Sequence, residues 1–127
     1  MSGKVVAIGG IFVRSKDPKA LAAWYAEHLG VTLEHWGGVQ FCEPAADDPR
    51  PRSHTLWTPF EAGTDYLRPS PREFMINLRV DDVEALVASL RAKGVEVLDR
   101  GEDGEFGRFR YVLDPDGTLL ELWQPAG

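Results

Sequence analysis

Glu121 is the residue of this chain best placed to do chemistry. It stands inside Leu119-Leu120-Glu121-Leu122-Trp123, a run apolar enough for a buried strand. A carboxylate is almost never fully buried unless something pairs with it. Glu121 therefore either faces a polar cavity or binds a cation. Just before it, Asp114-Pro115-Asp116-Gly117 reads as a tight turn. Proline presets φ there, and glycine takes the position that needs a positive φ.

Other chemistry-bearing residues give Glu121 little help. His28 falls late in a helix, where a cation is favourable. His35 lies beside Trp36 near a hairpin turn, and His54 is expected to point away from Thr55. No H-x-x-x-H pattern or cysteine cluster exists. Cys42 is alone, which excludes an internal disulfide and fits a cytoplasmic location.

Composition narrows the classes further. The 127 residues are 43% hydrophobic and 27% charged, as in an ordinary globular domain. The net charge of −6 argues against a nucleic-acid partner. No run approaches the roughly 18 apolar residues of a membrane span, and Met1-Ser2-Gly3-Lys4 opens no signal-peptide pattern.

The elements that must position Glu121 follow from periodicity. Val5 to Arg14 reads as a strand, and Asp17-Pro18 opens a helix carrying Leu21, Trp24, Tyr25, His28 and Leu29 at helical spacing. Gly30 closes that helix. Val31–Trp36 and Val39–Glu43 read as a hairpin, followed by an acidic, proline-rich loop from Pro44 to Arg52 and a strand from His54 to Phe60. Glu61 to Arg72 is a linker. Phe74 to Val80 is a strand, Asp82 caps a second helix ended by Gly94, and Val95 to Leu98 is a short strand. Gly101 to Gly107 reads as a loop before a last hairpin, Phe109–Leu113 with Leu119–Trp123.

The chain repeats itself. Ile11 and Ile76 each stand six residues before a capping aspartate, Asp17 and Asp82, at an offset of 65. Both halves close on Leu-Trp-x-Pro, at Leu56 and Leu122. The expected fold is α+β: two βαβββ modules, 1–60 and 73–127, joined by linker 61–72 and packed as one cupped mixed sheet. Strand alternation puts Ile11, Val13, Ile76, Leu78, Val80, Leu120 and Leu122 under the helices. The opposite face carries Gly10, Phe12, Arg14, Met75, Asn77, Arg79, Glu121 and Trp123, a mixture suited to a ligand cleft.

These features resemble the vicinal oxygen chelate superfamily of glyoxalase I, bleomycin-resistance proteins and extradiol dioxygenases. The carriers are Asp17-x7-Tyr25-x3-Leu29-Gly30, the repeat Val80-Asp81-Asp82 with Lys93-Gly94-Val95, and Asp114-Pro115-Asp116-Gly117-x3-Glu121-Leu122. The resemblance implies metal ligands at four strand positions, which the motifs carry onto Gly10, Thr55, Met75 and Glu121. Only Glu121 is a competent hard ligand, so neither a metal nor another cofactor is expected. Arg14 resembles in position an arginine that glyoxalase I uses for glutathione.

Three functions remain open. The first is binding of a small organic molecule in a cleft lined by Phe12, Arg14, Thr55, Trp57, Met75, Asn77, Arg79 and Trp123, with homodimerisation as in the bleomycin-resistance branch. The second is a glyoxalase-like lyase or isomerase in which Glu121 is general base or metal ligand. The third is self-association without a ligand. The loops 44–52 and 101–107 are candidate lids, and Tyr66 could reach the cleft or a partner chain.

Overall fold

The structure, a computed structural model, describes residues 3–41 and 55–126. Cys42, His54 and the expected lid 44–52 lie outside the described residues. The elements run β1 (Val5–Ser15), α1 (Pro18–Leu29), β2 (Val39–Phe41), β3 (Thr55–Glu61), β4 (Phe74–Val80), α2 (Val83–Ala92), β5 (Val97–Gly104), β6 (Gly107–Leu113) and β7 (Leu119–Pro125). The seven strands form one mixed sheet in the order β2-β3-β1-β4-β7-β6-β5.

The repeat is visible in the pairing. In each half the first and last strands are parallel neighbours, β1 with β3 and β4 with β7. The halves join where β1 runs antiparallel to β4. Both helices start as their capping aspartates require: Asp17 accepts from the Ala20 N–H and Asp82 from the Ala85 N–H, each at 3.1 Å.

The helices lie on one face of the sheet. Val83 and Val87 of α2 pack with Val80, Val112 and Leu122. Tyr25 of α1 stacks on Trp57 with ring centroids 4.0 Å apart. The expected placing of Leu78, Val80, Leu120 and Leu122 beneath a helix thus matches the structure. The opposite face, called the inner face below, holds a second cluster of Phe12, Leu67, Met75, Tyr111 and Leu119.

Two expected elements differ. Val31–Trp36 is not a strand; it keeps a single bridge, Leu33 to Val39. The bonds from Glu34 N–H to Gly38 O and from Gly37 N–H to Glu34 O wind this stretch into a turn instead. The 101–107 segment is not a loop. β5 and β6 pair through Gly104 and Gly107, leaving only Glu105 and Phe106 as a two-residue turn. Glycines and acidic residues disguised this edge ribbon, because β-propensity depends on packing that an edge strand largely lacks.

The Asp114 turn sets the register of β7. The Asp114 carboxylate accepts from the N–H groups of Asp116 and Thr118, and Gly117 has φ of 87°. A side chain there would be strained, whereas glycine is not. Among the described residues, no helix is long and apolar enough to cross a membrane.

Burial ranks the core positions. Leu122→Ala should lower the unfolding free energy by about 2–5 kcal/mol in urea titration, as for a cavity-forming core change. Ile8→Ala, at a residue 50% exposed, should cost less than about 1 kcal/mol. Equal losses at the two positions would contradict the core described here.

Candidate functional site

One level row of residues crosses the inner face. Leu56 of β3 pairs with Gly10 of β1, Gly10 with Asn77 of β4, Asn77 with Glu121 of β7, and Glu121 with Tyr111 of β6. Paired residues share a face, so the last three polar side chains are forced together. A bulge in β1 sets this register, where the pairing shifts between Ile8 and Gly10. Gly9 permits it: a Cβ there would come within 2.1 Å of the Asn77 side-chain oxygen.

Glu121 is only 2% exposed. The Asn77 amide donates to its Oε1 at 2.7 Å. The hydroxyls of Tyr111 and Tyr66 both donate to its Oε2 at 2.5 Å. These are charge-assisted bonds, the strong kind, and they offset the cost of taking a carboxylate out of water. The two phenol oxygens lie 2.9 Å apart. Each hydroxyl carries one proton, already directed at the carboxylate, so no proton is left for that third contact.

Tyr66 arrives on the segment 62–73, which joins β3 to β4 and crosses over the inner face. Leu67 beside it is fully buried against Phe12, Met75, Tyr111 and Leu119. The Arg100 guanidinium lies 3.9 Å from the Tyr111 ring centroid and 4.7 Å from that of Tyr66. It also donates to the Arg68 carbonyl at 3.1 Å. The sequence pattern does not mark Tyr66, Tyr111 or Arg100 as site residues; it leaves Tyr66 able to reach either the cleft or a partner chain. The available signal was alternation in β6, which places Tyr111 beside Glu121 once the last hairpin is aligned.

The expected site residues are distributed as follows. Phe12, Met75, Asn77, Arg79 and Trp123 stand on the inner face with Glu121; the first four are buried. Phe12 stacks on Phe60, and Trp123 stacks on Phe109. Thr55 and Trp57 are a correction. Because Leu56 pairs with Gly10, their side chains turn to the helix face. There Thr55 donates to the Ile8 carbonyl, and Trp57 helps line an apolar hollow of about 190 Å³ with Tyr25, Val39 and Phe41. That volume is below the usual range for small-molecule pockets.

Arg14 is also placed differently from a ligand-binding arginine. Its guanidinium donates to the carbonyls of Ala62, Thr64 and Arg72. It ties segment 62–73 to the end of β1.

The four positions carried over as metal ligands do not share a level either. The row holds Leu56 where Thr55 was expected, and Asn77 where Met75 was expected. A model of the glyoxalase-like domain matches residues 10–123. The chain belongs to this family. Its fold is similar to a methylmalonyl-CoA epimerase of Streptomyces coelicolor in complex with 2-nitronate-propionyl-CoA, with a TM-score of 0.73 and 21% identity over 98% of this chain and 100% of that one. The Mycobacterium tuberculosis epimerase aligns at a TM-score of 0.63 and 21% identity, over 97% and 90% of the two chains. A Legionella pneumophila protein described as an NAD-dependent benzaldehyde dehydrogenase aligns at 0.61 and 12% identity, over 92% and 98%. These likenesses establish the fold.

The row does not fit a divalent ion. Gly10 and Leu56 offer no donor atom, and both oxygens of Glu121 already accept hydrogen bonds. Among the described residues, no three histidines, cysteines or acids come together. A catalytic metal usually needs about three protein ligands. Adding zinc or cobalt to millimolar concentration, or dialysing against EDTA, should leave the melting temperature unchanged. A rise of several degrees with stoichiometric metal would contradict this reading of the row.

Burial raises the pKa of both Tyr66 and Tyr111 well above the ordinary tyrosine value, and the nearby Glu121 charge raises them further. Both phenols therefore remain donors in the folded chain where an unfolded tyrosine ionises, near pH 10. Their contribution to stability is complete below about pH 10 and falls as the pH rises through the folded-state values. The Tyr66→Phe, Tyr111→Phe double variant should show a shallower alkaline loss of stability than wild type. Chemical denaturation between pH 8 and 11 measures it, and identical slopes would refute the assignment.

Proposed function

We propose that this chain binds a small organic molecule on the inner face and holds it at the Glu121 cluster without a metal. The observation that carries this reading is a carboxylate buried at the level row, with two phenols and an amide converging on it. Its walls are aromatic: Phe12 on Phe60 and Phe109 on Trp123. Polar groups converging within an aromatic surround fix a ligand's orientation, and the rings supply contact area. The epimerase neighbours, one of them in complex with 2-nitronate-propionyl-CoA, support a small-molecule role.

Two uses of such a site follow from its chemistry. A bound molecule can simply be sequestered. Alternatively, Glu121 accepts a proton from an acidic C–H or O–H group; each phenol, whose one proton points at the carboxylate, turns from the protonated Glu121 to donate to the oxygen that gains charge. That division of labour between base and oxyanion donors is the metal-free form of the lyase or isomerase reading.

A competing reading is self-association with no ligand. The full burial of Leu67 on the inner face favours it, because a chain segment already fills part of the cup. Dimerisation belongs to both readings. It is supported by the exposed apolar side chains Ile8, Ile11, Trp24 and Phe41 of the first half.

A thermal-shift screen of small organic molecules should yield binders, and Glu121→Gln should weaken them by about tenfold or more. Far-UV circular dichroism should show the variant still folded. Light scattering on the same sample should report a dimer. A folded variant with unchanged affinity would refute the role of Glu121, and a dimer for which no binder is found would favour the ligand-free reading.

A further inference from the structure

We infer that Tyr66 is a built-in occupant of the ligand position, and that this site takes a neutral hydroxyaromatic molecule that displaces it. The inference rests on the small-molecule reading above and names the class of molecule. Glu121, Asn77 and Tyr111 all stand on strands of the sheet. Tyr66 alone reaches the cluster from segment 62–73, which belongs to no strand or helix. Its side chain thus lies among groups that the sheet holds in place without it.

What surrounds that side chain defines the chemistry. At the hydroxyl end, Glu121 Oε2 accepts at 2.5 Å and the Tyr111 oxygen lies 2.9 Å away. Over the ring face sits the Arg100 guanidinium, 4.7 Å from the centroid. Phe60 meets the ring edge-to-face, with centroids 5.4 Å apart and planes at 90°. A phenol satisfies all three: it offers a donor, a π face for a cation, and an aromatic quadrupole.

Other classes match less well. Glu121 repels an anion, Arg100 repels a cation, and an aliphatic alcohol gives Arg100 no π face. Displacement is reversible because the segment stays tethered at its ends. Arg14 holds the Ala62 and Thr64 carbonyls, while the Ser70 hydroxyl donates to the Gly117 carbonyl at 2.6 Å.

The test begins with Tyr66→Ala, which opens a vacancy the shape of p-cresol. Calorimetry on this variant should find p-cresol binding about tenfold or more tighter than toluene, which lacks the hydroxyl. It should also bind tighter than 4-methylbenzoate. Toluene or 4-methylbenzoate binding as well as p-cresol would overturn the inference.

Should Tyr66→Ala fail to fold, Tyr66→Phe replaces it. This variant keeps the ring but removes the competing hydroxyl, so 2-naphthol should bind it tighter than wild type. Equal or weaker binding overturns the proposal. In wild type, saturating 2-naphthol should speed hydrogen exchange at the amides of Thr64, Arg68 and Ser70, which bond to the carbonyls of Glu61, Asp65 and Leu67. Unchanged exchange in the bound state overturns the displacement. A binder of another class that loses affinity in Glu121→Gln would sink the hydroxyaromatic assignment and leave the small-molecule reading standing. No binder at all would sink both.

Discussion

The structure depends on keeping one carboxylate out of water. Glu121 lies in the middle of a strand whose neighbours Leu119 and Leu122 are buried. An isolated charge there would be very costly, so donors must be delivered to it in fixed positions. Parallel pairing with β4 brings Asn77, and antiparallel pairing with β6 brings Tyr111. The third donor, Tyr66, does not come from the sheet; beyond Asn77 this level continues with Gly10 and Leu56, which carry no polar side chain. It comes instead from the chain that connects the two halves.

The two halves are similar in architecture and different in use. The second contributes Asn77, Tyr111 and Glu121, the polar side chains that meet at the carboxylate. The first contributes Gly10 and Leu56, a close-approach position and an apolar wall. The bulge at Gly9 and Gly10 lets Asn77 pack against the β1 backbone, which sets its amide toward Glu121. Arg14 holds the connecting segment down, and Tyr66 and Leu67 on that segment close over the row. The polar cluster and the apolar cluster around Leu67 are therefore one construction, with the same segment serving both.

This explains why the fold carries little information about activity. Epimerases and a protein described as a dehydrogenase share it, and at the row level this chain gathers an amide and two phenols around a carboxylate. Glycine, leucine, asparagine and glutamate at that level make a hydrogen-bonding site, not a coordination site.

The fold class was legible in the sequence because its signals are local. Aspartate caps, helical spacing and the Asp114 turn each depend on residues close together in the chain, and the offset of 65 only repeats such local patterns. Alternation alone also put Glu121, Asn77, Met75 and Phe12 on one face. It failed at Thr55 and Trp57, because Leu56 and Trp57 are both apolar and either could face inward. It also could not level Asn77 with Glu121, since register between distant strands is set by a bulge and by pairing across the whole sheet. The roles of Tyr66, Arg14 and Arg100 were beyond it for the same reason. Their partners lie 55, 48 to 58 and 32 residues away, and only the closed chain brings such groups within hydrogen-bond range.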